Sequence, residues 1–548
     1  MSATSYLPVA ANARPAADLM TDVVIVGSSP GALCAAIACR QLRLEVLLME
    51  PSGKLGGPGG GSDGRVWLPG HHGLPGDDYA TARDYFDRVV GDFEPCSSAP
   101  RRHAFLNGTA ALASWLADLG VELEPDVAGD YYPDVPGALA SGRVLRPGAV
   151  DLTAIGQLAE FLPGSAFGSS QGVVDKLESG VRRVGELATG RRWARGRAAL
   201  EAGLLAICQR LQVNIWWQAP VRELLMAADN ARVSGVVADR AGRQVRVFAG
   251  RGVILADGGF GADAALRRQF LPKPSRPDWT IGKASDAGVR QLGWAQDLGL
   301  QLAGMGYAWW RPGLWAPSAP SVTAAGRALA RPHGFLVDEQ GQRFTNEAGR
   351  PVDVARAIYA RFNDLGPQAT FWLVIDADHR KHYRLGKLEP GRLPRAAENS
   401  GLVVSARTLP ELATKIKVDA AGLHATAVRF NALCETGTDE DFHRGTRAWE
   451  RDRGDRKNAP NPCLGAVAKP PFYAVRVVPA DLGTKGGLLT DEYSRALFDD
   501  GRPMPGLWAI GSSASSVTGP ADPAPGVGLA EAMVAGRAAA ASIATAEW

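Results

Sequence analysis

Cysteine is scarce and scattered in this chain. Its 548 residues hold six, Cys34, Cys39, Cys96, Cys208, Cys434 and Cys463. No two form a CxxC pair and no Cys/His set has zinc spacing, so neither a disulfide framework nor a zinc site is expected, and no other metal. The pattern suits free thiols in a reducing cytoplasm. No unbroken apolar run of about 18 residues occurs, so no membrane span is expected. Residues 1–20 lack the basic start and apolar run of a signal peptide; they read as an Ala- and Pro-rich disordered lead-in. An excess of one charge is missing too. Lys and Arg number 60 against 57 Asp and Glu, a net charge of +3. That gives no case for nucleic acid, and no basic run argues for a membrane surface. There is no internal repeat and no low-complexity tail.

The length exceeds what one hydrophobic core serves, which points to two or more domains. Apolar residues make up 46% and charged ones 21%, ordinary for a globular protein, but 65 glycines are many. Tight turns and close backbone approaches to a ligand use such residues.

The first strong element is Asp22-Val23-Val24-Ile25-Val26-Gly27, an apolar run of the kind that forms a buried parallel strand. Ser28-Ser29-Pro30-Gly31 follows, then a small-residue helix over about 32–42 and a second strand, Glu45–Glu50. This is a βαβ unit at the start of the ordered chain. Helices are expected over 81–90 and 198–209. Strands are expected at 214–218, in a meander through 233–247, and at 252–256, followed by Asp257-Gly258-Gly259-Phe260. Between 303 and 472 the composition shifts towards Trp and Arg. After it, Gly506–Gly511 is again a strand, and an Ala-rich helix runs over about 527–544. The fold class is therefore α/β: a Rossmann-type nucleotide-binding domain, discontinuous over 21–302 and 473–548, with an inserted α+β cap domain over 303–472.

In the fingerprint G-x-G-x-x-G/A, the glycines serve a tight turn, close approach of the pyrophosphate, and helix–strand packing. Gly27, Ser29 and Ala32 hold those places, with Ser29 departing from the rule. The helix that opens at Pro30 and Gly31 offers free N–H groups and a positive dipole end to phosphates. Glu50 ends the second strand at the spacing of an acid that bonds ribose hydroxyls. FAD rather than NAD is favoured by both ends of the chain. Lys54-Leu55-Gly56-Gly57 bares backbone to a large flat ligand, and a helix start near Gly526-Val527-Gly528 can face one edge of an isoalloxazine, where it stabilises the negative charge of reduced flavin.

With these pieces placed, the chain resembles the fumarate reductase flavoproteins and, more closely, the 3-ketosteroid Δ1-dehydrogenases. The resemblance runs through nearly the whole chain. Its segments include Gly56–Ser62, Val66-Trp67-Leu68-Pro69, Asp130-Tyr131-Tyr132-Pro133, Trp309-Trp310-Arg311-Pro312, Gln342–Glu347, Asp441–Gly445 and Asp481–Gly487. It implies non-covalent FAD, and a cap closing over a flat apolar alicyclic ketone. In that family the flavin takes a hydride β to the ketone, one tyrosine takes the α-proton, and a second tyrosine and a backbone N–H polarise the ketone oxygen. The FAD contacts so implied are Gly27, Ser29, Pro30, Gly31, Ala32, Glu50, Pro51, Lys54, Gly56, Gly57, Gly61, Ser62, Asp63, Val221, Ala256, Asp257, Gly258, Gly511, Gly526, Val527 and Leu529.

Two catalytic places of the family are changed. One of Tyr131 and Tyr132 matches its Asp-Tyr-Tyr-Pro tyrosine, but Pro351 stands at the proton-abstracting tyrosine. Asp522 replaces the ketone-polarising tyrosine, while the backbone of Gly526 remains. Fumarate reductases put an arginine at the place of Pro351, and Arg350 is one residue away. The candidate catalytic residues are thus Asp522, Tyr131, Tyr132, Arg350 and Gly526. Asp522 is a base, a substrate anchor or a loop acid; Arg350 is a carboxylate clamp or a partner of Glu347 or Asp353. Trp309 and Trp310 read as packing, and His71 and His72 as structural. Three activities stay open: dehydrogenation next to a ketone, reduction of an unsaturated acid with Arg350 gripping the carboxylate, and a non-redox lyase, hydratase or isomerase that retains FAD. The electron acceptor stays open as well.

Overall fold

A computed structural model describes residues 18–57, 63–162, 192–282, 287–318, 322–391 and 393–546. The elements that position the site are, in chain order, β1 (Leu19–Val26), α1 (Pro30–Gln41), β2 (Val46–Glu50), α2 (Arg197–Arg210), β3 (Asn214–Trp217), β4 (Arg243–Leu255), β5 (Ala308–Leu314), β6 (Gly334–Val337), α3 (Pro351–Leu365), β7 (Phe371–Ile375), β8 (Phe472–Thr484), β9 (Pro503–Ala509) and α4 (Val527–Thr545).

The apolar runs of the first domain become a parallel sheet in the order β9-β4-β1-β2-β3. Val23 and Ile25 pack on one face and Val24 and Val26 on the other. A strand buried on both faces needs such an unbroken run, because each alternate side chain enters a core. β1 begins at Leu19, inside the expected lead-in of residues 1–20.

The second domain is built on an antiparallel sheet in which β8 pairs with β5 and β7, and β7 pairs with β6. α3 packs its apolar stripe against it; Tyr359 meets Trp310 at 5.0 Å between ring centroids and Phe362 meets Phe371 at 4.9 Å. The return to the first domain was expected at residue 473. That position lies within β8, so the chain leaves this sheet only after Thr484. The long apolar alternation of β8 is equally compatible with either sheet until its partners are known.

The two ends of the chain meet at a helix crossing. α4 lies on α1, and every residue of α1 from Pro30 to Cys39 is buried. By length and mean hydropathy (1.3), α4 also passes as a membrane span, which a search for unbroken apolar runs passes over; half of that window is buried inside the protein.

Candidate active site

A cavity of about 380 Å³ lies where the carboxyl ends of β1, β4 and β9 face β5 and the end of β8. In an open parallel sheet this is the expected place for a ligand. Two helix N-termini open onto it: Ser29 and Pro30 from α1, and Gly526, Val527 and Gly528 from α4. Ser29 caps α1 with a hydroxyl 3.4 Å from the Ala32 N–H. Gly526 starts α4 with no side-chain cap, which leaves first-turn N–H groups for a ligand.

The backbone around the cavity is too close to allow side chains at two glycines. Gly27 has φ of 106°, and a Cβ there would stand 2.5 Å from the Ala256 carbonyl oxygen. Gly526 has φ of 89°, and its Cβ would stand 2.5 Å from the carbonyl oxygen of Arg65. These close approaches let β1, β4 and α4 converge on one narrow space, a geometry that fits a dinucleotide laid along paired helix N-termini.

Of the expected FAD contacts, Ser29, Pro30, Asp63, Ala256, Gly258, Gly511, Gly526, Val527 and Leu529 line the cavity. Gly61 and Ser62 lie outside the described residues. Gly57 sits beside Ser29, with its Cβ place 3.4 Å from the serine Cβ. Others have different work. Gly31 faces α4, where a Cβ would stand 2.5 Å from the Ala532 carbonyl oxygen, so it is a helix-crossing glycine and does not reach the cavity. Ala32, Asp257 and Val221 are buried away from the cavity wall. Lys54 turns outward and donates to the Glu160 carbonyl at 2.7 Å, and Pro51 next to Glu50 does not line this cavity either. Gly56 covers Glu201, whose carboxylate lies 2.5 Å from Arg197. Burial lifts Glu201 to about 7 against the pull of Arg197. Glu50 is buried at the end of β2; its carboxylate accepts from the Ser28 hydroxyl (2.5 Å) and the Ser52 N–H (2.9 Å). Burial raises its pKa and these bonds oppose the rise.

The catalytic candidates separate. Asp522 and Tyr131 line the cavity; Tyr132 and Arg350 do not. Arg350 donates to Asp353 at 2.5 Å and stacks over Tyr132 at 3.8 Å, so both are spent on each other and on the start of α3. Pro351, not Arg350, faces the cavity.

The loop carrying Asp522 is pinned from three sides. The Pro523 carbonyl accepts from the Tyr85 hydroxyl (2.6 Å) and the Tyr131 N–H (2.9 Å). Buried Lys485 donates to the Thr518 hydroxyl (2.8 Å) and to the carbonyls of Gly519 (3.0 Å) and Ala521. Arg356 donates to the Pro520 carbonyl at 2.5 Å. Burial raises the pKa of Asp522, opposed by Arg311, Lys485 and Arg356. Burial likewise pulls Lys485 down to about 8, against Asp522 and Glu531. A raised pKa makes the Asp522 carboxylate a stronger base than an exposed one.

Tyr131 is almost fully buried, with its ring edge-on to Trp449 at 4.7 Å. Burial raises its pKa and the neighbouring Arg311 lowers it. Arg311, Arg453, Lys485, Trp449 and Trp309 line this space although none was singled out for it in the sequence; Trp309, read as packing, lies under the Lys485 ammonium at 3.9 Å. The available signal was a cation inside an aromatic strand, Trp309-Trp310-Arg311, which must face a polar space when its neighbours face a core. Trp310 is buried in that core, and His71 bonds the Gly142 carbonyl at 2.9 Å, as packing and structural roles require.

Comparison with known proteins agrees with this geometry. Residues 22–529 match the FAD binding domain family. The chain is 34% identical to the 3-oxosteroid 1-dehydrogenase of Mycobacterium tuberculosis, over 95% of this chain and 98% of that protein. It is 31% identical to the 4-oxocyclohexanecarboxylate 2-dehydrogenase of Sinomonas cyclohexanicum, over 95% and 92%. The crystal structure of the 3-ketosteroid Δ1-dehydrogenase from Sterolibacterium denitrificans, in complex with 1,4-androstadiene-3,17-dione, superposes with a TM-score of 0.90 at 31% identity, covering 96% of this chain and all of that one. The chain belongs to the FAD-binding flavoprotein family that holds the 3-ketosteroid Δ1-dehydrogenases, and it is an FAD-dependent oxidoreductase of the CH–CH dehydrogenase type.

Proposed function

We propose that the enzyme removes two hydrogens from a carbon–carbon bond next to a ketone in an alicyclic substrate, steroid-like or monocyclic. The observation that carries this reading is that Asp522, Tyr131 and the N-termini of α1 and α4 share one cavity. The relatives act, by their names, on 3-oxosteroids and on 4-oxocyclohexanecarboxylate.

FAD, when bound, supplies the acceptor for the hydride that leaves the β carbon. The residues do the rest. An α C–H loses its proton only if the oxygen that gathers the charge is stabilised. The Tyr131 hydroxyl is the donor at that oxygen, and Arg311 beside it strengthens the donor by favouring the phenolate. Asp522 takes the α-proton on its carboxylate. Its raised pKa makes it a stronger base than an exposed aspartate, and the pinned 518–523 loop holds it in place. Leu329, Pro351 and Val354 give the space an apolar wall for the ring. The first-turn N–H groups of α4 favour negative charge next to them.

Anaerobic mixing of the FAD-loaded enzyme with saturated ketones, steroidal and monocyclic, bleaches the flavin absorbance with at least one of them and yields a ring double bond. No bleaching across the panel, at full FAD content, overturns the reading. The non-redox reading has only the replaced tyrosines at Pro351 and Asp522 behind it, and the relatives are dehydrogenases by name. The unsaturated-acid reading rested on Arg350, which is engaged by Asp353.

A further inference from the structure

The charges that line the cavity do not balance on the side of the second domain. Asp63 pairs with Arg65 at 2.7 Å, and Asp452 is held by Arg327 (3.3 Å) and Arg456 (3.1 Å). Glu347 is held by Arg343 (2.8 Å) and Arg444 (3.2 Å). Glu531 accepts from the Ser516 hydroxyl (2.8 Å) and the Val517 N–H (2.6 Å). Three cavity-lining cations remain, Arg311, Arg453 and Lys485, none with a direct ion pair among the described residues. Asp522 and Glu531 are the lining carboxylates left to set against them. Even fully ionised, they balance two of the three.

Arg453 is in the more exposed electrostatic position. Its guanidinium stacks on Trp449 at 4.8 Å and donates to the Gly326 carbonyl at 2.5 Å. Burial pulls it down to about 10; Tyr131 opposes this, and Arg327, Arg311 and Arg65 add to it. Trp449, between Arg453 and the Tyr131 ring, has an indole N–H buried without an acceptor. A guanidinium that lines the cavity without an ion pair favours an anion arriving with the ligand. The pyrophosphate of a dinucleotide belongs at the α1 N-terminus, a separate lining element.

We propose that Arg311 and Arg453, on either side of Tyr131, form an anion subsite in the substrate space that holds a carboxylate carried on the ring of the ketone. This rests on the reading that a cyclic ketone enters the cavity, and it narrows the substrate class from neutral ketones to keto acids. The guanidinium forks fit a carboxylate. A carboxylate fixed there sets which ring carbon is presented to Asp522.

Isothermal calorimetry on the FAD-loaded enzyme, titrated with cyclohexanecarboxylate and with its neutral analogue cyclohexanecarboxamide, tests this without turnover. The acid binds at least tenfold more tightly than the amide to the wild type. Arg453→Gln brings the ratio close to one, Arg453→Lys restores part of it, and FAD affinity stays within twofold in both. An acid that binds no better than the amide in the wild type overturns the subsite, whatever the variants do. Loss of FAD from Arg453→Gln overturns it too, because the arginine then serves the cofactor. Acid preference with no flavin bleaching by any ketone leaves the subsite standing and removes the redox reading; bleaching without acid preference does the reverse.

Discussion

Gly31→Ala separates a glycine needed by a ligand from one needed by a neighbouring helix. The fingerprint places Gly31 beside the phosphates, whereas the fold places it under α4. An alanine methyl there would stand 2.5 Å from the Ala532 carbonyl oxygen and 2.9 Å from its carbon. Both are backbone atoms of a helix, so the contact cannot be relieved by a rotamer change. Overpacking of this kind costs about 1–3 kcal/mol, and a forced backbone contact lies at the upper end. The better helix propensity of alanine returns about 1 kcal/mol. The net loss is about 2 kcal/mol. Gly203→Ala is the control, since it sits within α2 and its nearest neighbour would be the Val121 methyl at 3.9 Å. That change gains up to about 1 kcal/mol. The two alanines therefore differ by about 3 kcal/mol, roughly a hundredfold in the unfolding equilibrium. Urea unfolding of the FAD-loaded enzyme, followed by far-ultraviolet circular dichroism with flavin release measured alongside, reads the difference. Gly31→Ala unfolding at or above the wild-type midpoint refutes the crossing-glycine assignment. A normal midpoint with weakened FAD binding returns the residue to the phosphate site.

Asp522→Asn keeps the shape and loses the proton acceptor, so it slows anaerobic flavin reduction by the productive ketone by about 10²–10⁴-fold at unchanged FAD content; a loss under tenfold in stopped-flow absorbance removes the base role. Tyr131→Phe removes the oxygen donor and slows the same step by about 10²–10³-fold, with little change in ketone binding; equal losses in rate and binding would count against it. Glu201 is lifted from 4.5 to about 7 by burial, so the folded state holds a proton that the unfolded state has released. Its contribution is present below pH 4.5 and is lost as pH rises to about 7, a decline of about 3 kcal/mol. Glu201→Gln flattens that slope in urea midpoints measured from pH 5 to 8, and a variant that keeps the wild-type slope excludes Glu201 as its source.

The first domain was legible because its determinants are local. Val23–Val26 and Val253–Leu255 are apolar runs that only a doubly covered strand explains, and Gly27 and Gly526 mark turns whose φ a side chain opposes. Glycine itself carries no label for what approaches it. Gly27 clears a strand and Gly31 clears a helix 500 residues away, yet both read as parts of one phosphate motif. The second domain hides its contribution for a related reason. Arg311 leaves β5 and Lys485 follows β8, adjacent strands from distant parts of the chain, while Arg453 and Trp449 come from a short helix that no periodicity marks. An arginine in a strand looks like a solvated edge until its neighbours are placed. Here the strand faces Tyr131 and Asp522, and the same guanidinium becomes part of the chemistry. Asp522 itself shows the gain from combining both views. The sequence places it at a position where a tyrosine was expected, and the fold adds what decides its chemistry: deep burial, cations on two sides and a loop tied down by Lys485 and Arg356. A substrate with its ketone at Tyr131 must present its α-hydrogen to Asp522, and the proposed anion subsite of Arg311 and Arg453 would set that orientation.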